Sequence, residues 1–114
     1  MVQADAMSGD LVRLGGGDGF DALVCCEVLE HVDRPEILSS SLAEALAPGR
    51  FGFLSTVANM EAEDHVYLFN DADEIRDMLH RTGWLVAEDL PSTLPGAEDW
   101  VPLPVNYSAL TTRP

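Results

Sequence analysis

Apolar and polar positions alternate along this chain in patterns that change from one segment to the next. Two runs, "DALVCCEV" (21–28) and "RFGFLSTVA" (50–58), are almost continuously apolar and of strand length. They lack the period-two alternation of a half-solvated strand, which predicts strands covered on both faces, as in a parallel sheet. Between them, "DRPEILSSSLAEALAPG" (33–49) places Leu38, Leu42 and Leu46 on one helical stripe. Asp33 is positioned to cap this helix, Pro35 and Glu36 suit its first turn, and Pro48-Gly49 stops it.

A second helix is predicted in "NDADEIRDMLHRTGW" (70–84). Asn70 or Asp71 caps it, Asp73 and Glu74 load the first turn, and Arg76, His80 and Arg81 load the last, in keeping with the helix dipole. Ile75, Met78 and Leu79 form the stripe to be buried, and Gly83 ends the helix. "WLVAED" (84–89) then reads as a short strand. Four prolines and several acids between residues 88 and 104 predict a loop unable to pair as a central strand. The closing "PVNYSALTTRP" sets Val105, Tyr107, Ala109 and Thr111 on one face, the pattern of a terminal antiparallel strand. Strand, helix, strand, helix, strand, strand predicts one α/β domain spanning residues 1–114, an open, mostly parallel sheet with right-handed crossovers and a C-terminal antiparallel strand.

The run Gly15-Gly16-Gly17-Asp18-Gly19 invites comparison with a phosphate-binding loop. Such a loop follows a strand and opens a helix, whose N-terminal amides hold the ligand. Here the glycines precede a strand, so they read as the turn that feeds it.

Twenty acidic residues against six Lys plus Arg give a net charge of −14. That field repels phosphate backbones and anionic membranes, so neither nucleic acid nor a membrane is expected as partner. With no leader-like or membrane-length apolar run, the expected location is cytoplasmic. Cys25 and Cys26 are adjacent, so their Cα atoms stand about 3.8 Å apart, too close for a relaxed disulfide. They read as small apolar residues in a reducing compartment.

In open α/β sheets, ligands bind beyond the carboxyl ends of the strands. After the first predicted strand comes "EVLEHV", with Glu27, Glu30 and His31. After the second comes "STVANMEAEDHVYLF", which carries His65. Two carboxylates and two imidazoles are a reasonable oxygen/nitrogen set for a divalent ion. The plainer alternative is that Glu30 and His31 begin a helical turn, with His31 packed, while His65 lies in a solvated loop.

These residues also carry a resemblance. "FDALVCCEVLEHVDRPEILSSSLAEALAPGRFGFLST" resembles the fourth strand, the following helix and the fifth strand of class I S-adenosylmethionine-dependent methyltransferases. The shared features are Phe20-Asp21, Glu27 to Val32, and Pro48-Gly49. "DHVYLFNDADEIRDMLHRTGW" is similar to the segment before and within the next helix. "VQADA" resembles the segment after the third strand. The resemblance implies a partial Rossmann-like methyltransferase fold in which Asp5, Ala6 and Cys26 contact the cofactor. It also implies that Glu27, Glu30, His31 and His65 serve catalysis and hold a divalent ion, as the Glu-x-x-Glu-His motif does in ubiquinone-type O-methyltransferases and small-RNA 2′-O-methyltransferases. The acidity argues against an RNA substrate.

The family's glycine-rich loop and ribose-binding acid would lie upstream of Met1. The resemblance therefore implies S-adenosylmethionine shared with another methyltransferase chain, or self-association, in a split enzyme acting on a small-molecule acceptor. The alternatives are a non-catalytic partner that stabilises a complete methyltransferase, and, ranked below it, a metal-assisted hydrolase. The latter has no nucleophile motif here.

Overall fold

A computed structural model describes residues 18–60, 62, 65–93, 95–101 and 103–114. Its elements are β1 (Phe20–Cys26), a 3-10 turn (Leu29–His31), α1 (Pro35–Ala45), β2 (Leu46–Ala58), α2 (Ala72–Arg81), β3 (Leu85–Thr93) and β4 (Val105–Thr112). The element order matches the sequence pattern. The sheet order is β1-β2-β4-β3. β1 and β2 pair in parallel, while β4 lies antiparallel to both β2 and β3. Three strands thus point one way, and the C-terminal strand is inserted between two of them in the opposite sense.

Several boundaries differ from the sequence expectation for physical reasons. α1 takes Arg34 rather than Asp33 as its N-cap and makes no side-chain cap bond, with Pro35 at its start. The helix stops at Ala45, so Leu46 is buried at the head of β2 rather than on the helix stripe. β3 runs through Pro91 to Thr93, past the point where prolines predict a loop. It tolerates Pro91 because it is an edge strand, paired only with β4, so one side needs no backbone donor.

α2 forms as its sequence dictates. The Asp71 carboxylate accepts from the Glu74 N–H at 2.8 Å, and Ile75, Met78 and Leu79 are buried. The helix is fastened to the sheet by Arg76, whose Nε donates to Asp89 on β3 at 2.7 Å, while the Tyr107 hydroxyl on β4 donates to the same carboxylate oxygen at 2.8 Å. These two donors hold the Asp89 carboxyl below the usual carboxylate range. At the C-terminal end, the Trp84 indole N–H donates to the Ser39 carbonyl of α1, and the Trp84 ring lies across Gly52. A Cβ at Gly52 would stand 3.1 Å from that ring.

The helices cover one face of the sheet. The row Cys25, Leu54 and Ala109, paired across β1, β2 and β4, is buried beneath them. The adjacent row, Val24, Phe53 and Leu110, faces the other way and is exposed, as are Phe51 and Leu90. Among the described residues nothing covers this face, and Val24 is 74% exposed. For the same reason Cys25 is buried and Cys26 exposed, both as free thiols. Burial, with Cys26 and Glu30 nearby, pushes the Cys25 thiol up to about 11, which leaves it an inert apolar residue.

Of the glycine run, Asp18 and Gly19 are described, and they form the turn into β1. Gly19 has φ +82°, and a Cβ there would fall 2.8 Å from the Ala47 nitrogen and 2.9 Å from the Ala45 oxygen. Gly19→Ala is therefore expected to lower the free energy of unfolding by about 2 kcal/mol, from left-handed strain and the clash with the backbone at the start of β2. A urea midpoint equal to wild type would contradict this close approach.

Candidate functional site

β1 and β2 pair in register from Ala22↔Phe51 to Cys26↔Ser55, so the chain leaves both strands at the same end of the sheet. Both exits are marked by left-handed residues, Glu27 and Asn59, each at φ 57°. This conformation costs free energy for a residue with a Cβ, and such residues concentrate at functional sites. The Glu27 N–H donates to the Ser55 carbonyl at 3.0 Å, which ends β1 and turns the chain into the 3-10 turn.

That turn buries Leu29 and Glu30. Burying a carboxylate is costly unless it is hydrogen-bonded. Glu30, 1% exposed, receives the Thr56 hydroxyl on Oε2 at 2.7 Å, and its Oε1 faces His31 Nε2 at 3.8 Å. Glu27 accepts from the Ser55 hydroxyl at 3.2 Å. Ser55 and Thr56 thus serve Glu27 and Glu30 respectively. Sequence reasoning passed over both, although a Ser-Thr pair inside an otherwise apolar strand run was a usable signal.

The segment after β2 returns to the same place. The Asn59 N–H donates to the Phe69 carbonyl at 2.7 Å, and the Val66 and Tyr67 N–H groups both donate to the Glu30 carbonyl, at 2.8 and 3.1 Å. His65 is thereby brought beside His31, with ring centroids 5.1 Å apart and planes at 75°. His65 Nδ1 lies 2.7 Å from the Met60 carbonyl. A carbonyl can only accept, so Nδ1 is the donor in this bond and Nε2 is turned away from it. A cavity of about 270 Å³, lined by Met60, Ala62, His65, Val66, Tyr67 and Leu68, opens next to it.

Among the described residues, Glu30, His31 and His65 form a group whose ligand atoms all lie within 4.8 Å of one another. Glu27 lies beside this group rather than within it. Cys26 is exposed at the carboxyl end of β1, and Asp5 and Ala6 lie outside the described residues. One buried carboxylate and two imidazoles, one oriented by a backbone carbonyl, are donors of the type that bind a divalent ion, and a ligating imidazole is commonly oriented through its other nitrogen in this way.

No protein-family model matches the chain. A ubiquinone biosynthesis O-methyltransferase of Dechloromonas aromatica is 35% identical over 60 residues, 53% of this chain and 25% of that protein. The match therefore spans about a quarter of the relative's length. Among solved structures, the [4+2]-cyclase SpnF superposes with a TM-score of 0.68 at 15% identity, over 98% of this chain and 54% of that one. Magnesium protoporphyrin IX methyltransferase from Synechocystis, solved with bound S-adenosylhomocysteine, superposes with a TM-score of 0.63 at 15% identity, over 99% and 50%. The fold is that of the class I S-adenosylmethionine-dependent methyltransferases. The cyclase among these neighbours shows that such a fold alone does not fix the reaction; the residues of the site do.

Local burial and the neighbouring Glu30 carboxylate push the Glu27 carboxyl above its ordinary range, against the opposing pull of Ser55 and His65. A carboxyl raised on folding costs stability once it ionises: the cost is absent below its unfolded value and complete above its folded one. Glu27→Gln is therefore expected to be the more stable protein at neutral pH, with the difference shrinking as pH falls through the carboxylate range. Thermal melts at stepped pH would check the sign, and a variant less stable than wild type at pH 7 would refute it.

Proposed function

We propose that this chain forms the acceptor side of an S-adenosylmethionine-dependent O-methyltransferase site for a small molecule, in which Glu30, His31 and His65 hold a divalent ion. The observation that carries this reading is the convergence of those three ligand atoms at the carboxyl ends of β1 and β2. The similarity to a ubiquinone biosynthesis O-methyltransferase supports the chemistry.

Methyl transfer to oxygen is an in-line displacement: the acceptor oxygen bonds to the methyl carbon, the carbon–sulfur bond breaks, and the hydroxyl proton must leave. S-adenosylmethionine supplies the sulfonium methyl when bound. A divalent ion lowers the pKa of a coordinated hydroxyl and fixes its direction. The chain's own residues do the rest. Thr56 keeps the Glu30 carboxylate aimed, the Met60 carbonyl orients the His65 ring through Nδ1, and Glu27, held by Ser55 beside the cluster, is the proposed base for the acceptor's proton. The cavity beside His65 receives the acceptor.

The remainder of the site is proposed to come from the glycine-rich half of a methyltransferase sheet, whether in the same polypeptide or in another. Support comes from the edge of β1, which pairs only with β2 among the described residues, and from the exposed row Val24, Phe53 and Leu110, since a flat apolar edge is seldom left open. In a doubly wound sheet, the strand that β1 resembles adjoins the first strand across the cofactor crevice. The same open surface also suits a second reading, in which the chain stabilises a complete methyltransferase without catalysing.

Calorimetric titration with Mn²⁺ tests the proposal. Wild type is expected to bind one ion, with affinity reduced at least tenfold in Glu30→Gln and in His65→Ala while far-ultraviolet circular dichroism is unchanged. No binding by folded wild type would remove the metal from the proposal. Methyl transfer that survives both substitutions in the assembled enzyme would favour the non-catalytic reading.

A further inference from the structure

His65 sits on a segment whose Val66 and Leu68 are exposed while Phe69 is buried and Tyr67 packs against the core. Bonds from neighbouring elements add to that packing. Three of the constraints are backbone bonds, from Asn59 to Phe69 and from Val66 and Tyr67 to the Glu30 carbonyl, and another is the contact of His65 Nδ1 with the Met60 carbonyl. A further one comes from α2. The Tyr67 hydroxyl donates to Glu74 Oε1 at 3.0 Å, while Glu74 Oε2 accepts the Asn70 N–H at 2.7 Å and the Asn70 side-chain amide at 3.1 Å. The Glu74 N–H in turn donates to Asp71. This is a helix-capping arrangement in which the glutamate's second oxygen is left over for a residue outside the helix.

We infer that Glu74, acting through Tyr67, is a positioning residue for His65. The Tyr67 amide bonds the Glu30 carbonyl and its ring lines the same cavity as His65, so fixing the Tyr67 side chain restrains the short segment from which His65 projects. Both residues line the cavity beside the metal-ligand cluster. The Tyr67 ring also packs against Phe69, centroids 4.8 Å apart, so its body stays seated whether or not its hydroxyl is bound. The hydroxyl bond therefore adds orientation more than stability. The bond to the Glu74 carboxylate also holds the Tyr67 phenol above its ordinary pKa, which keeps the donor protonated. The functional consequence rests on the metal reading proposed above; the positioning itself does not.

Tyr67→Phe isolates the bond, because it keeps the ring and both backbone bonds. In the full chain labelled with ¹⁵N, three quantities separate the possibilities: melting temperature, amide hydrogen exchange at Val66 and Tyr67, and affinity for Mn²⁺ alone. The expected result is a melting temperature close to wild type, exchange at the two amides faster by several-fold, and Mn²⁺ binding weaker by about tenfold. Glu74→Gln, which keeps an acceptor oxygen for the tyrosine, is expected to fall between Tyr67→Phe and wild type. Unchanged exchange in Tyr67→Phe overturns the inference whatever the metal does. If exchange rises but Mn²⁺ affinity does not fall, the tyrosine orders the segment without positioning His65, which also overturns it. If wild type binds no Mn²⁺, the metal reading fails, and the ¹H–¹⁵N signals of the His65 ring decide in its place: an unshifted ring in Tyr67→Phe refutes positioning, and a shifted one upholds it.

Discussion

In-register parallel pairing of β1 with β2 forces the segments leaving both strands to emerge side by side at one end of the sheet, and the candidate site follows from that geometry. Parallel pairing requires a crossover, supplied by α1, and the crossover carries Glu30 and His31 on its first turn. Had the two strands paired antiparallel, Glu30 and His65 would stand at opposite ends of the sheet. The close approach of Gly19 to the head of β2 and the bond from the Glu27 N–H to the Ser55 carbonyl lock this register at its two ends.

Glu30 is a buried acidic residue, and its place in this arrangement depends on the bonds it makes. A lone buried carboxylate would be neutralised or expelled. Here one oxygen is bound by the Thr56 hydroxyl and the other faces His31, while the residue's own carbonyl collects the Val66 and Tyr67 amides. A single residue therefore joins β2, the 3-10 turn and the His65 segment. α2 reinforces this from the other side through Tyr67 and Glu74, and is itself pinned to the sheet by Arg76, Asp89 and Tyr107. Left-handed Glu27 and Asn59 add strain at the two strand exits, a cost tolerated because the surrounding bonds over-determine their conformation.

The sheet is asymmetric. One face is sealed by α1 and α2, while the other presents Val24, Phe51, Phe53, Leu90 and Leu110. The continuous apolar runs of β1 and β2 are explained by this: residues on the open face are as apolar as those beneath the helices. Among the described residues β1 and β3 are the two edges of the sheet, and Glu88, Asp89 and Pro91 blunt the β3 edge.

The elements, their order and most of the buried helix stripe were legible in the sequence because each depends on local periodicity and capping, as with Asp71 and the Ile75, Met78 and Leu79 stripe of α2. The chemistry was half legible. Glu27, Glu30, His31 and His65 stood out by type and by following strands, but spacing could not say which of them meet. Only the tertiary structure groups Glu30, His31 and His65 and sets Glu27 beside them, because that grouping depends on a register and a backbone turn with no local signal. It also decides that Pro91 lies in a strand and that Leu46 leaves the helix, since edge position and sheet pairing override local propensity. Sequence by itself determined which segments become strands and helices and which side chains can do chemistry; tertiary structure decided which of those side chains share a site, because proximity between residues 30 and 65 is set by strand pairing and by the Val66 and Tyr67 amides on the Glu30 carbonyl, which no local pattern announces.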